Sequence, residues 1–201
     1  MSRRSEYAET TRLAIVAAAR HRFAKQGYVS TTIEQIAQDA RVVPKTVYAV
    51  AGGKRGLLRT VIQPWAEAAE VNESLSRMRA MQSGMAVLTL VSTTVGHLCE
   101  ELRDVIYVLT EAARQDEAAA SVLESTTTQI RRNLEQVTEH LHAIQELRPD
   151  LTPEAATDIL NFYFRPQSYL YLVDELRWAA RRAELWLAGQ AAASLLAPHT
   201  S

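Results

Sequence analysis

The chain has 201 residues, 47% of them apolar, and a formal net charge of −1, enough for one domain or two small ones. No apolar run approaches the roughly 18 residues of a membrane span. The opening MSRRSEYAETT has no apolar stretch behind its arginines, as a secretory signal would need, and the lone Cys99 excludes an intramolecular disulfide framework. These features predict a cytoplasmic protein with no membrane partner. The charge is unevenly divided: residues 1–60 carry 11 Lys and Arg against 4 Asp and Glu, while the remainder carries 11 against 19. A basic segment joined to an acidic one suggests that only the first meets a polyanion.

In chain order, Arg12 to Phe23 places Ile15, Ala18, Ala19 and Phe23 on one helical stripe, and Gly27 supplies a stop. Arg3 and Arg4, ahead of it, read as a minor-groove arm or as a solvated tail. From Thr31 to Lys54, two short helices surround a tight turn. Ile33, Ile36, Ala37 and Ala40 share one apolar face, and Thr31 with Glu34 fits a capping box. Pro44 suits the first position of the second helix, which runs to about Val50 and exposes Lys45, Thr46 and Tyr48. Short helix, turn, short helix with a polar outer face is the helix-turn-helix plan for reading DNA.

Gly52 and Gly53 precede a longer helix from Lys54 with Leu57, Leu58 and Val61 on its inner face, and Pro64 is expected to bend or interrupt it. Further helices are expected over roughly 66–80, 85–99, 101–113, 116–146, 153–164 and 176–197. Gly84, Gly96, Arg148-Pro149-Asp150 and Arg165-Pro166-Gln167-Ser168 are the expected breaks. Thr152 before Pro153 and Glu154 is a good helix start. The fold class is all-α: an N-terminal three-helix helix-turn-helix domain over residues 1–53, then a helical bundle over 54–201.

The run Arg12, Ile15, Ala18-Ala19, Phe23, Gly27-Tyr28, Thr31-Thr32-Ile33, Ile36-Ala37, Ala40, Val42, Thr46-Val47-Tyr48, Lys54 and Leu57-Leu58 resembles the N-terminal domain of TetR-family transcriptional regulators, over about residues 8–60. The resemblance implies a homodimer whose recognition helices enter successive major grooves of a pseudopalindromic, double-stranded operator. Carried over by position, Pro44, Lys45, Thr46 and Tyr48 face DNA, Tyr48 and Lys54 hold phosphates, and Thr32 offers its hydroxyl or amide at a helix start. Lysine suits phosphate oxygens and guanine acceptors, and a threonine methyl suits the thymine methyl. Three positions depart from the family pattern. Arg41 stands where glycine is usual in the turn, and it also offers a phosphate contact. Val43 replaces a capping serine, and Ala51 stands where an aromatic usually fills the small core.

By the same resemblance the C-terminal helices bind an unidentified small-molecule effector and dimerise. Trp65, Met81, Met85, His97, Tyr107, Phe162, Tyr163 and Tyr169 are candidate ligand contacts, since methionine and aromatic side chains make adaptable apolar walls. Plain core packing is the competing reading for each. For the dimer face the candidates are Ala179, Ala183, Leu185, Trp186, Ala193 and Leu196 on the last helices, in a four-helix arrangement with the partner.

Enzymatic readings find little support. Glu139 and His142 form one Glu-x-x-His where a di-iron bundle needs two. No Gly-rich phosphate loop, nucleophile elbow or zinc spacing occurs. No cofactor, metal or catalytic residue is expected. The function predicted is a ligand-released transcriptional repressor. The alternative is a helical ligand-binding or interaction protein that has lost specific DNA binding.

Overall fold

A computed structural model describes the backbone of residues 3–66 and 69–198 and the side chains of residues 5–62 and 70–198. Trp65 therefore lies outside the described side chains. Among the described residues the regular structure is helical, apart from one isolated antiparallel bridge between Leu147 and Leu196. No helix is long and apolar enough to cross a membrane. The chain divides into two compact units, residues 1–66 with 103–126, and residues 67–102 with 127–201.

The first unit begins with α1 (Arg3–Gln26), which starts well before Arg12. The side chains of Arg3 and Arg4 lie outside the described residues; residues 5–10 are exposed and the added turns carry no apolar stripe, so periodicity does not reveal them. They are held by the hydroxyls of Thr10 and Thr11, which donate to the carbonyls of Glu6 and Tyr7, and by the Arg12–Glu9 pair at 2.7 Å. Next come α2 (Ile33–Asp39), α3 (Pro44–Ala51) and α4 (Lys54–Ala66). Ile15, Ala19, Phe23, Ile36, Val47, Leu57 and Leu58 have almost no accessible surface and form one core. Burying each of the larger side chains contributes roughly 1.5–3 kcal/mol. Phe23 and Tyr28 close it with ring centroids 5.2 Å apart. Ala51 is half-exposed at the end of α3.

The helix α4 runs through Pro64 to Ala66, so that proline does not interrupt it. Gly56, in its first turn, sits under the last carbonyl of α3: a Cβ there would overlap the oxygen of Ala51. The unit is completed by α7 (Arg103–Ala112) and the start of α8 (Glu117–Ala143). Arg20 on α1 grips Asp104 on α7 through two hydrogen bonds of 2.9 and 2.7 Å.

The second unit holds α5 (Ala69–Met78), α6 (Gly84–Glu101), the remainder of α8, α9 (Pro153–Phe164), α10 (Pro166–Leu170), a π-helical turn (Tyr171–Glu175) and α11 (Ala180–Leu195). Gly96 lies inside α6 rather than ending it. It lets α6 and α11 approach, since a Cβ would come within 3.0 Å of the Glu184 side chain and 3.1 Å of the Tyr169 ring. The Ser92 hydroxyl donates to the Glu184 carbonyl at 2.8 Å across the same crossing. From α11, Ala183, Leu187, Ala188, Ala191, Ala192 and Leu195 face this core. The last helix begins at Ala180, not near residue 176, because the π turn closes with Leu176 N–H donating to the Tyr171 carbonyl and Arg177 then turns left-handed at φ 56°. Thr152 caps α9 as expected, accepting from the Ala155 amide, and Arg165 is extended before Pro166 restarts the helix.

Candidate nucleic-acid interface

The α2–turn–α3 segment is assembled by polar contacts that periodicity cannot show. The capping residue of α2 is Thr32, one position later than Thr31. Its hydroxyl accepts from the Gln35 amide at 3.3 Å, while its own amide donates to Gln35 Oε1 at 2.9 Å. Thr31 is buried, and its hydroxyl donates to the Gly27 carbonyl at 2.8 Å. Gln26 on α1 donates to Gln35 Oε1 and to the Ser30 carbonyl, which fixes the loop between α1 and α2. Arg22 pins the other end of α2 through Asp39, and that guanidinium holds the Asp39 carboxyl below its ordinary value.

The turn closes with a Schellman pattern: the Arg41 amide donates to the Gln38 carbonyl and the Val42 amide to the Ala37 carbonyl. Arg41 holds the left-handed position at φ 56°, as a glycine would, and its side chain is exposed. Val43 is the N-cap of α3 and makes no side-chain cap bond, so Pro44 at the first helical position carries the start. Val47 anchors α3 in the core, which turns Lys45 and Tyr48 to solvent, with Thr46 half-exposed. The Tyr48 ring lies beside Gly53, whose Cβ would meet it at 3.4 Å. Thr32 and Pro44 are exposed at the starts of the two helices.

Lys54 is placed differently from the others. Its ammonium donates to the Val29 carbonyl at 2.8 Å and stands 4.5 Å from the Tyr28 ring centre. Burial lowers its pKa, with Asp116 acting in the opposite sense. The same burial, with Asp116 adding to it, raises the pKa of Tyr28. Lys54 thus ties the start of α4 to the loop before α2, while two of its three protons remain for other acceptors. The contacts of Arg20, Arg22 and Gln26 were not foreseen. Arg20 and Asp104 lie 84 positions apart, and no local pattern links them.

The described candidate ligand residues differ in unit and in burial. Tyr107 is exposed and belongs to the first unit. In the second unit His97 is exposed and paired with Glu70 at 2.8 Å, Met85 is exposed, and Met81 is half-buried. Tyr169 is fully buried and its hydroxyl donates to Glu100 at 2.9 Å; burial, then this bond, raises its pKa. Phe162 and Tyr163 do share a groove of about 600 Å³ with Tyr171, Trp178 and Trp186. Of the dimer candidates, Leu185, Trp186, Ala179 and Ala193 are exposed, and Leu196 packs beside Gly84. Ala183 has no accessible surface: it packs inside its own unit and is unavailable to a second chain. Among the described residues, no three His, Cys, Asp or Glu side chains converge as a metal site.

The first unit has the geometry of a helix-turn-helix DNA-binding protein. Residues 15–61 match the family model of the bacterial regulatory proteins, tetR family. That stretch is thus similar to a TetR-type helix-turn-helix domain, carried here on an all-helical fold. The fold of the chain is similar to that of SmeT, the repressor of the Stenotrophomonas maltophilia multidrug efflux pump SmeDEF. In its triclosan complex SmeT aligns with a TM-score of 0.77, at 17% identity over 94% of this chain and 93% of that one. NalD, the secondary repressor of the MexAB-OprM multidrug efflux pump in Pseudomonas aeruginosa, aligns with a TM-score of 0.76, at 21% identity over 94% and 98%. GusR of Salmonella enterica gives 0.66, at 21% identity over 89% and 94%. No curated protein matches the sequence.

Proposed function

We propose that the protein is a transcriptional repressor that binds a pseudopalindromic operator as a homodimer and is released by a small-molecule effector. The carrying observation is the exposed face of α3 and its turn, where Lys45 and Tyr48 project from a helix anchored by Val47 and Arg41 is exposed in the turn before it. Residues 1–53 read DNA in this scheme and residues 54–201 bind effector and partner. Lys45 reads guanine acceptors, and Thr46 contacts bases with its methyl. Arg41, Tyr48, Lys54 and the Thr32 and Pro44 helix starts hold the phosphate backbone. The excess of Lys and Arg in residues 1–60 supports the same placement.

The effector contacts proposed are Trp65, Met81, Met85, His97, Tyr107, Phe162, Tyr163 and Tyr169. SmeT, which shares the fold, forms a complex with triclosan, and that supports a small-molecule arm. The dimer forms through the exposed stripe of α11, with Leu185, Trp186 and Ala193. An effector shifts the protein off DNA only by favouring one arrangement of the two recognition helices over the other. Enzymatic activity does not enter this scheme.

The test is in vitro selection from a random duplex library, with a Lys45→Ala/Tyr48→Ala variant in parallel. Enrichment of an inverted repeat by the native protein alone is the expected result. Absence of enrichment at low salt would sink the operator reading and favour a helical interaction protein.

A further inference from the structure

Val43 has no evident structural reason to be where it is. It is the N-cap of α3, 63% exposed, and its side chain caps nothing. A serine, threonine or aspartate would satisfy a free amide there, so the valine forgoes helix stability. Its isopropyl group is exposed to water, two residues from each of the exposed cations Arg41 and Lys45, at the end of the helix from which recognition residues reach base edges. Valine can neither donate nor accept a hydrogen bond. It cannot hold a phosphate, and it would leave the polar edges of guanine, adenine or cytosine unpaired. The one apolar feature that a base offers in the major groove is the C5-methyl of thymine.

We propose that Val43 is a specificity-determining residue that packs on the C5-methyl of one thymine in each operator half-site. The assignment rests on the operator binding proposed above. The occupant is duplex DNA because the flanking Arg41 and Lys45 complement a polyanion. Val43 and Lys45 then divide the work: the valine selects thymine by its methyl, and the lysine selects guanine by its acceptors.

The experiment uses the full chain and the operator obtained by selection. Each thymine, taken symmetrically in both half-sites, is replaced by deoxyuridine, which keeps base pairing and removes only the methyl. Native protein, Val43→Ser and Val43→Ala are compared by binding titration, with thermal melting of each protein alongside. One thymine position is expected to lose about fourfold in affinity per half-site with the native protein, the worth of burying one methyl. With Val43→Ser and Val43→Ala that difference shrinks to near unity. Val43→Ser should melt no lower than native, because it restores a cap, so its weaker binding is not unfolding. Two results overturn the proposal and leave operator binding intact: no thymine is sensitive to uracil, or the sensitivity is the same in all three proteins. Failure to select any operator overturns both readings.

Discussion

Arg41 carries a conformational cost that its neighbours do not relieve. At φ 56° a side chain crowds its own carbonyl, a strain of about 1–2 kcal/mol that glycine avoids. Glycine returns part of that through a freer unfolded chain, roughly 0.4–1 kcal/mol. Arg41→Gly should therefore stabilise the first unit by about 0.5–1 kcal/mol and weaken DNA binding in a salt-dependent way, since the phosphate contact proposed for it is lost. Chemical denaturation together with titrations at two salt concentrations reads both. A variant that gains stability and keeps its affinity would show that the arginine does not touch DNA. The strained position was legible because the family resemblance places a glycine there, and Arg41 does take the left-handed conformation. The cap of α2 was legible only to within one residue. Thr31 with Glu34 and Thr32 with Gln35 fit the same spacing, and the choice is made by Gly27, whose carbonyl takes the Thr31 hydroxyl.

At the scale of helices, the junction of α3 and α4 depends on Gly56. A methyl there overlaps the Ala51 carbonyl, which is backbone and cannot rotate away. Gly56→Ala should destabilise the first unit by about 2–3 kcal/mol, at the upper end of ordinary overpacking, and loosen the seat of α3. Thermal melting followed by a DNA titration checks it, and an unchanged melting temperature would mean that the junction yields easily. The tie between α1 and α7 predicts a pH effect. Hydrogen bonding to Arg20, the largest cause, lowers the pKa of Asp104 against the opposing effect of desolvation. Its contribution is present above the ordinary aspartate pKa and is lost as pH falls through the depressed one. The pair is more than a third exposed, which limits it to about 1 kcal/mol. Asp104→Asn should lower stability at neutral pH and converge with native in acid. Equal differences at pH 7 and pH 2.5 would remove the ion pair from the explanation.

The longer helices were readable from periodicity because each buries one stripe, whereas the short α10 fell in a stretch expected only as a break. Two interruptions were not readable. Gly96 reads as a breaker, yet it serves close approach of α6 to α11, a matter of what lies opposite rather than of local preference. The π turn at Tyr171–Glu175 leaves no composition signal, and it displaces the start of the last helix to Ala180. The exposed face of α3 was legible because one short helix with Val47 buried turns Lys45 and Tyr48 outward together. No comparable pattern joins the candidate ligand residues, which come from several helices and share only a residue type.

For the whole molecule, the proposed operator reading requires two copies, and α11 supplies the testable surface. Its inward stripe is filled by Ala183, Leu187, Ala188, Ala191 and Leu195, which leaves Leu185, Trp186 and Ala193 on the outside. Trp186 is 43% exposed and is held edge-on to Trp178, with ring centres 5.6 Å apart. A large aromatic held in place before association has little freedom to lose on binding, which favours it as an interface anchor. Trp186→Ala truncates such an anchor, which costs about 2 kcal/mol or more, or roughly 30-fold in dimer dissociation. Ala193→Glu is the complementary change, because it leaves the aromatic pair intact and sets a charge on the same stripe. Sedimentation should show both variants dissociating at concentrations where native protein is dimeric. Both should lose affinity for the inverted repeat while binding a single half-site as weakly as native protein does. Two variants that stay dimeric would move the interface off α11, and loss of half-site binding as well would mean that folding, not association, had failed.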